Sequence, residues 1–151
     1  MIKWFSKNKW VSDEENRSIL EAISLAERQT SGEIRVYIES RNPLVSTLER
    51  AHAIFQEMGM QATAQRNGVL IYLAVKDKEV AIIGDEGIHQ KVGTSFWETR
   101  IQEMILCFKN NQLSNGLINC IGMVGQVLSD QFPYIEGQDK NELPNDIHFG
   151  K

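Results

Sequence analysis

The chain holds only two cysteines, three prolines and three histidines, and it has no excess of positive charge. Cys107 and Cys120 lie in separate helix-like apolar patterns with no CxxC, so they are expected to be buried, reduced thiols that pack as small hydrophobes. No arginine follows either one at the spacing of a phosphate-cradling loop, which argues against a cysteine nucleophile. His52, His89 and His148 share no ligand spacing such as HxxxH, which points away from zinc. Of the three, His89 sits in the most suggestive loop. Twenty acidic residues against sixteen basic ones leave a net charge of -4. A nucleic-acid binder normally presents a basic surface, so nucleic acid is not an expected partner. No apolar run approaches the ~20 residues that span a bilayer, and residues 1–11 lack the apolar core and cleavage site of a signal peptide. A cytoplasmic location is the expectation. GxSxG, P-loop, GxGxxG and HExxH patterns are all missing.

What is present is one domain's length of chain, 151 residues with 42% hydrophobic and 24% charged, enough to bury a core without disulfide or metal staples. Residues 1–11 read as an N-terminal arm, 12–131 as the domain and 132–151 as a tail packed on it. The arm carries Trp4, Phe5 and Trp10 among lysines. That composition allows a membrane contact, and the plainer expectation folds the tryptophans onto the domain. Ser12-Asp13-Glu14-Glu15 is a capping box opening a helix with Ile19, Leu20, Ile23 and Ala26 inward and a stop at Gly32. Over residues 33–39, Ile34, Val36 and Ile38 alternate with Arg35, Tyr37 and Glu39, predicting a strand with one buried face.

After Asn42-Pro43, a second capping box at Ser46-Thr47-Leu48-Glu49 opens a helix that turns Leu48, Ala51, Phe55 and Met58 inward. Strand, helix and strand in that order predict a right-handed crossover between parallel strands. The next strand, residues 69–75, is apolar on both faces and therefore central. Lys76-Asp77-Lys78 turns it into a hairpin with residues 80–83. A third capping box, Ser95-Phe96-Trp97-Glu98, opens a helix with Trp97, Ile101, Met104, Ile105 and Phe108 inward. The last helix, from Leu113 to Gln131, carries Leu117, Ile121, Val124 and Leu128 on one stripe. The fold class is α/β: a three-layer α/β/α sandwich around a small mixed β-sheet.

A hairpin returns its exit to the level of its entry. Gly84-Asp85-Glu86-Gly87-Ile88-His89 therefore ends beside Arg66-Asn67-Gly68, and Gly32-Glu33 enters the parallel strand at the same end. This end offers Asp85, Glu86, Asn67 and Glu33 as oxygen ligands for a divalent cation. Ca²⁺ is the first choice, and Mg²⁺ or Mn²⁺ are alternatives. Gly84 and Gly87 are expected to let the backbone turn tightly there. A catalytic version would use a metal-bound water, with Glu33, Glu86 or His89 carrying the proton. Residues 139–146 open like an EF-hand loop but lack its sixth-position glycine and twelfth-position glutamate, so they read as tail, anchored by Leu143, Ile147 and Phe149.

Ser31-Gly32-Glu33-Ile34-Arg35-Val36, Glu49-Arg50-Ala51 with Phe55 and Gly59, Asn67-Gly68-Val69-Leu70, and Gly84-Asp85-Glu86-Gly87-Ile88 resemble the TPM domain family. Phe108, Gly116-Leu117 and Ile121-Gly122 extend the resemblance over residues 14–131. The Arg66-Asn67-Gly68 start and the 139–149 tail are similar to those of short stand-alone bacterial members. The resemblance implies an α/β/α sandwich and two functions. One is Ca²⁺ binding by loops at one end of the sheet. The other is an acid phosphatase acting on phosphomonoesters, as in a thylakoid-lumen member linked to photosystem II repair. Asn67, Asp85 and Glu86 are the site positions that match. Typical members carry a signal peptide, a following transmembrane helix and often a Gly-rich tail, and none of these is expected from this sequence. It also carries Arg66 where an acidic residue is common, and for a phosphatase Arg66 is the natural phosphate-binding group.

Overall fold

A computed structural model describes residues 10–44, 46–135 and 147–150. Trp4, Phe5, Leu143 and the acidic stretch 139–146 lie outside the described residues. Helix α1 (Asp13–Glu27) starts on the expected capping box: Ser12 Oγ accepts from the Glu15 amide at 3.1 Å and Glu15 Oε1 accepts from the Ser12 amide at 2.9 Å. Strand β1 (Glu33–Glu39), helix α2 (Thr47–Glu57) and strand β2 (Gly68–Ala74) follow, and β1 and β2 are parallel from Glu33↔Gly68 to Glu39↔Ala74. Strand β3 (Glu79–Gly84) returns antiparallel to β2, from Ala74↔Glu79 to Val69↔Gly84. Three helices come next: α3 (Glu86–Val92), α4 (Thr94–Lys109) and α5 (Leu113–Gln131). Strand β4 (Ile147–Phe149) then pairs parallel to β1, giving the sheet order β3-β2-β1-β4.

The layers follow from side-chain alternation. Ile34, Val36, Ile38, Val69, Ile71, Leu73, Val80 and Ile82 form one core with α1, α4 and α5. Leu70, Tyr72, Ala74, Ala81 and Ile83 form a second core with Ala51, Ile54 and Phe55 of α2. The sheet is mixed, the sandwich has three layers, and β2 is a central strand buried along its whole length.

Three sequence expectations need correction, and a fourth is extended. β1 is buried on both faces rather than one. Its polar positions survive burial because they are paired: Arg35 Nη1 lies 2.8 Å from Glu27 Oε2, and Glu39 receives two bonds from Arg50. Leu48 does not turn inward but is 52% exposed. The buried stripe of α2 falls instead on Ala51, Ile54 and Phe55. The third capping box does not form, because α4 begins two residues earlier, at Thr94, after Gly93 in a left-handed conformation (φ 77°). The tail does more than anchor, since Ile147 and Phe149 belong to a fourth strand, and Trp10 of the arm packs on Phe149 with ring centroids 6.3 Å apart.

Among the described residues, no helix is long and apolar enough to cross a membrane. Cys107 is half-buried and Cys120 buried, both as free thiols. Burial pushes the Cys120 thiol up to about 12. A thiol raised this far stays neutral, and only the thiolate reacts. Native protein at pH 8 is therefore expected to give rapid reaction with a disulfide reagent at no more than Cys107. Cys120 should react only after denaturant is added, and its labelling at the same rate in folded and unfolded chains would contradict this.

Candidate functional site

Three chain segments meet at the end of the sheet where β1 and β2 begin. The loop before β2 is held by Thr63, whose carbonyl accepts from the Arg66 amide at 3.2 Å and whose hydroxyl accepts from the Asn67 amide at 3.2 Å. Arg66 adopts a left-handed backbone (φ 52°), a conformation that non-glycine residues rarely take without a compensating constraint. Its carbonyl oxygen accepts from the amides of Gly87 at 2.9 Å and Ile88 at 3.3 Å. Those amides belong to the first turn of α3 and would otherwise lack helical partners. The Asp85 amide donates to the Gly68 carbonyl at 2.9 Å, and the Glu33 amide reaches the Asn67 carbonyl at 3.4 Å. The expected convergence of residues 32–33, 66–68 and 84–89 is present.

The Asp85-Glu86 pair is not a flexible acidic turn. Asp85 is the N-cap of α3, its Oδ1 accepting from the Glu86 amide at 2.8 Å. The same carboxylate receives Arg66 along both edges, Nε to Oδ2 at 2.6 Å and Nη2 to Oδ1 at 2.9 Å. This is the fork geometry in which arginine binds carboxylate most strongly. Asp85 is 7% exposed and the Arg66 side chain 42%, so the pair forms a lid with its cationic side in water. Glu86, largely exposed, sits 3.5 Å from Arg66 Nη1. These partners hold the Arg66 guanidinium above its ordinary pKa, the hydrogen bond to Asp85 being the main cause.

Asn67 lies beneath, fully buried. Its Nδ2 donates to Ser31 Oγ at 3.2 Å, while its Oδ1 has no hydrogen-bond partner among the described residues. Ser31 is placed by its neighbour Thr30, whose hydroxyl donates to the Phe132 carbonyl and accepts from the Gly32 amide. Glu33 meets Asn67 through its backbone amide, and its buried carboxylate lies 3.8 Å from Arg35 Nη2. Among the described residues, no group of three or more histidine, cysteine, aspartate or glutamate side chains is arranged to hold a metal.

Gly84 and Gly87 serve close approach, not a tight turn, since neither has positive φ. A Cβ on Gly84 would lie 2.3 Å from the indole of Trp97, and one on Gly87 would lie 2.1 Å from the Gln65 carbonyl oxygen. The Trp97 indole N–H donates to His89 Nδ1 at 3.0 Å. That bond leaves the proton of a neutral imidazole on Nε2. The Trp97–His89 bond and the Arg66–Asp85 clamp were not visible in the sequence. An aspartate directly before a helix-forming run is an N-cap signal, however, and marks Asp85 as a helix start.

A family profile for the TPM domain matches residues 6–127. Among solved structures, the BA42 protein of the psychrophilic bacterium Bizionia argentinensis is 39% identical, with TM-score 0.85 over 95% of this chain and 97% of that one. The N-terminal domain of a P. gingivalis protein (16% identity, TM-score 0.66, 82% and 80% covered) shares the fold. So does the N-terminal domain of the cg2496 protein of Corynebacterium glutamicum (14%, 0.63, 87% and 84%). A comparison with curated proteins gives no match.

Proposed function

We propose, from the premise that this chain belongs to the TPM domain family, that the Arg66–Asp85 end of its sheet is a Ca²⁺-responsive binding site. Arg66 is the cation already in place there, and Ca²⁺ is its competitor. The observation that supports this reading is Asn67 Oδ1, a buried acceptor with no partner among the described residues. Leaving such a group unsatisfied costs about 1–3 kcal/mol, and an amide oxygen is a usual ligand of a hard cation. Asp85 and Glu86 add carboxylates once the half-exposed Arg66 side chain swings away.

Glu33 joins the set only by giving up Arg35, so the core of the proposed site is Asn67, Asp85 and Glu86. Ca²⁺ tolerates an irregular oxygen shell of this kind better than Mg²⁺, which demands near-octahedral geometry. The proposed role is a regulatory or binding module. The phosphatase reading gains no support from the geometry: Arg66, its phosphate-binding candidate, has both edges committed to Asp85.

The test is a Ca²⁺ titration followed by backbone NMR shifts and melting temperature, with Mg²⁺ as comparison. Wild-type protein is expected to respond at millimolar Ca²⁺, with shifts concentrated in residues 31–34, 66–68 and 84–89. Arg66→Ala is expected to tighten the response roughly tenfold, equivalent to about 1.4 kcal/mol, and Asp85→Asn to abolish it. If Arg66→Ala binds no Ca²⁺ at millimolar concentration, the proposal fails.

A further inference from the structure

Helices from the two outer layers converge beside β3 on a cavity of about 420 Å³. One wall is the part of α2 that carries Leu48 and His52, four residues apart and so on one side of the helix. The other wall is α4, where Thr94, Trp97, Glu98 and Ile101 recur at the spacing of a single helical stripe. Buried Ile82 and Ile83 of β3 lie between these walls, and His89 of α3 completes the lining. Neither imidazole belongs to the Arg66–Asp85 site. Leu48, exposed beside the buried stripe of α2, finds its place here.

The body of the lining is apolar and aromatic. Trp97 spends its indole N–H on His89, so it offers the cavity ring surface alone. Together with His52 and His89 it supplies three aromatic rings, which pack well against another flat ring. The polar groups are few, as in most small-molecule sites. The bond from Trp97 fixes the neutral His89 imidazole in one tautomer, and among the described residues nothing accepts from its Nε2–H. Glu98 is exposed and makes no hydrogen bond or ion pair among the described residues. The cavity thus has one oriented donor and one carboxylate acceptor. No lysine or arginine lines it, so a phosphate or carboxylate ligand would meet Glu98 with no fixed positive charge to offset the repulsion. Its volume falls at the lower end of the range for small-ligand pockets, about 300–1,000 Å³.

We infer that this cavity binds a small, uncharged aromatic heterocycle that accepts a hydrogen bond from His89 and donates one to Glu98. A ring nitrogen and an N–H on the same ring system supply both partners. The apolar walls take the faces of the rings, and the missing counter-charge excludes their anionic derivatives. The inference goes beyond the Ca²⁺ reading and does not depend on it, because no side chain used here is a proposed ligand of the cation.

The experiment titrates the full chain with benzimidazole at pH 8, where the probe is uncharged, in the presence of a Ca²⁺ chelator. Backbone and indole NMR resonances give both the place and the affinity. The Trp97 indole N–H and the amides of Ile82, His89 and Ile101 are expected to shift and to saturate at about 1 mM, an ordinary affinity for a fragment of this size. 1-Methylbenzimidazole keeps the rings and the acceptor but has no N–H, and it should bind about tenfold more weakly, the worth of a hydrogen bond to a charged acceptor. Benzimidazole-5-carboxylate keeps the rings and adds a negative charge, and it should bind at least as weakly. Glu98→Ala, an exposed position where the fold is not at stake, is expected to weaken benzimidazole about tenfold and to leave 1-methylbenzimidazole unchanged. No shift at ten times the expected saturating concentration would overturn the inference. So would shifts that fall outside the cavity, tighter binding of the carboxylate, or an equal loss of both probes in Glu98→Ala.

Discussion

Gly87→Ala is expected to destabilise the protein by about 3 kcal/mol and to remove the Ca²⁺ response, although it adds a single methyl group. The new Cβ would stand 2.1 Å from the Gln65 carbonyl oxygen and 2.6 Å from that of Arg66. Both are backbone atoms, which cannot rotate aside as a side-chain tip would. The clash is relieved only by lifting α3 off the loop. That breaks the two bonds from the Gly87 and Ile88 amides to Arg66 and draws Asp85 away from its arginine. Overpacking typically costs about 1–3 kcal/mol, and an immovable neighbour places this site at the upper end. Urea denaturation measures the loss. Gly122→Ala in α5 is the control, because a Cβ there meets nothing within 4 Å. It should stabilise by about 0.5–1 kcal/mol, as Gly-to-Ala does inside a helix. If the two variants are equally stable, the close-approach account of Gly87 is wrong.

Glu39→Ala is expected to be more damaging, about 3–5 kcal/mol, the range for breaking a buried ion pair from one side. The Glu39 carboxylate sits at the far end of β1 and accepts from Arg50 Nε at 2.8 Å and Nη2 at 2.9 Å and from the Tyr72 hydroxyl. Arg50 comes from α2, so one carboxylate ties that helix to two strands. Removing it strands a mostly buried guanidinium and a buried hydroxyl together. Tyr72→Phe deletes one donor and leaves the ion pair, so it should cost only about 1 kcal/mol. The ratio between the two variants, read from urea midpoints at constant m-value, is the diagnostic. A second consequence concerns alkaline pH. Burial and the bond to Glu39 raise the Tyr72 pKa well above the ordinary tyrosine value, so Tyr72 should remain un-ionised at a pH that would ionise an ordinary tyrosine. Because the folded-state pKa is raised, the stabilisation is complete below the ordinary tyrosine range and is lost as pH climbs from that range toward the raised folded-state value.

Periodicity carried most of the fold. The helical stripes of α1 and α5, the apolar run of β2 and the charged turn between β2 and β3 each have a period or a punctuation that one sequence displays. Parallel pairing of β1 and β2 followed from the helix between them, and the meeting of Asn67 with Asp85 followed from the hairpin. What stayed hidden depends on distance between segments. Arg35 looked like a solvent-facing residue because its partner Glu27 belongs to the end of α1. β4 has three residues, too few to show a period. Arg66 was noticed as a departure from the family pattern, but only the structure shows it clamped on Asp85. Gly84 and Gly87 read as tight-turn residues because glycine has two uses, and only the positions of Trp97 and the Gln65 carbonyl distinguish them.

The pairing of β4 with β1 has a kinetic consequence. Val36 and Ile147 are register partners more than a hundred residues apart, whereas β1 meets β2 across a single helix and β2 meets β3 across one turn. Closing so long a loop costs more chain entropy than either local step and rewards it with only three paired residues. The three-stranded sheet with its helices is expected to cross the folding barrier first, with β4 docking afterwards. Trimming Ile147 to alanine should then speed unfolding and leave the refolding rate nearly unchanged. The edge that β4 covers is, in time, the last part of the molecule to close.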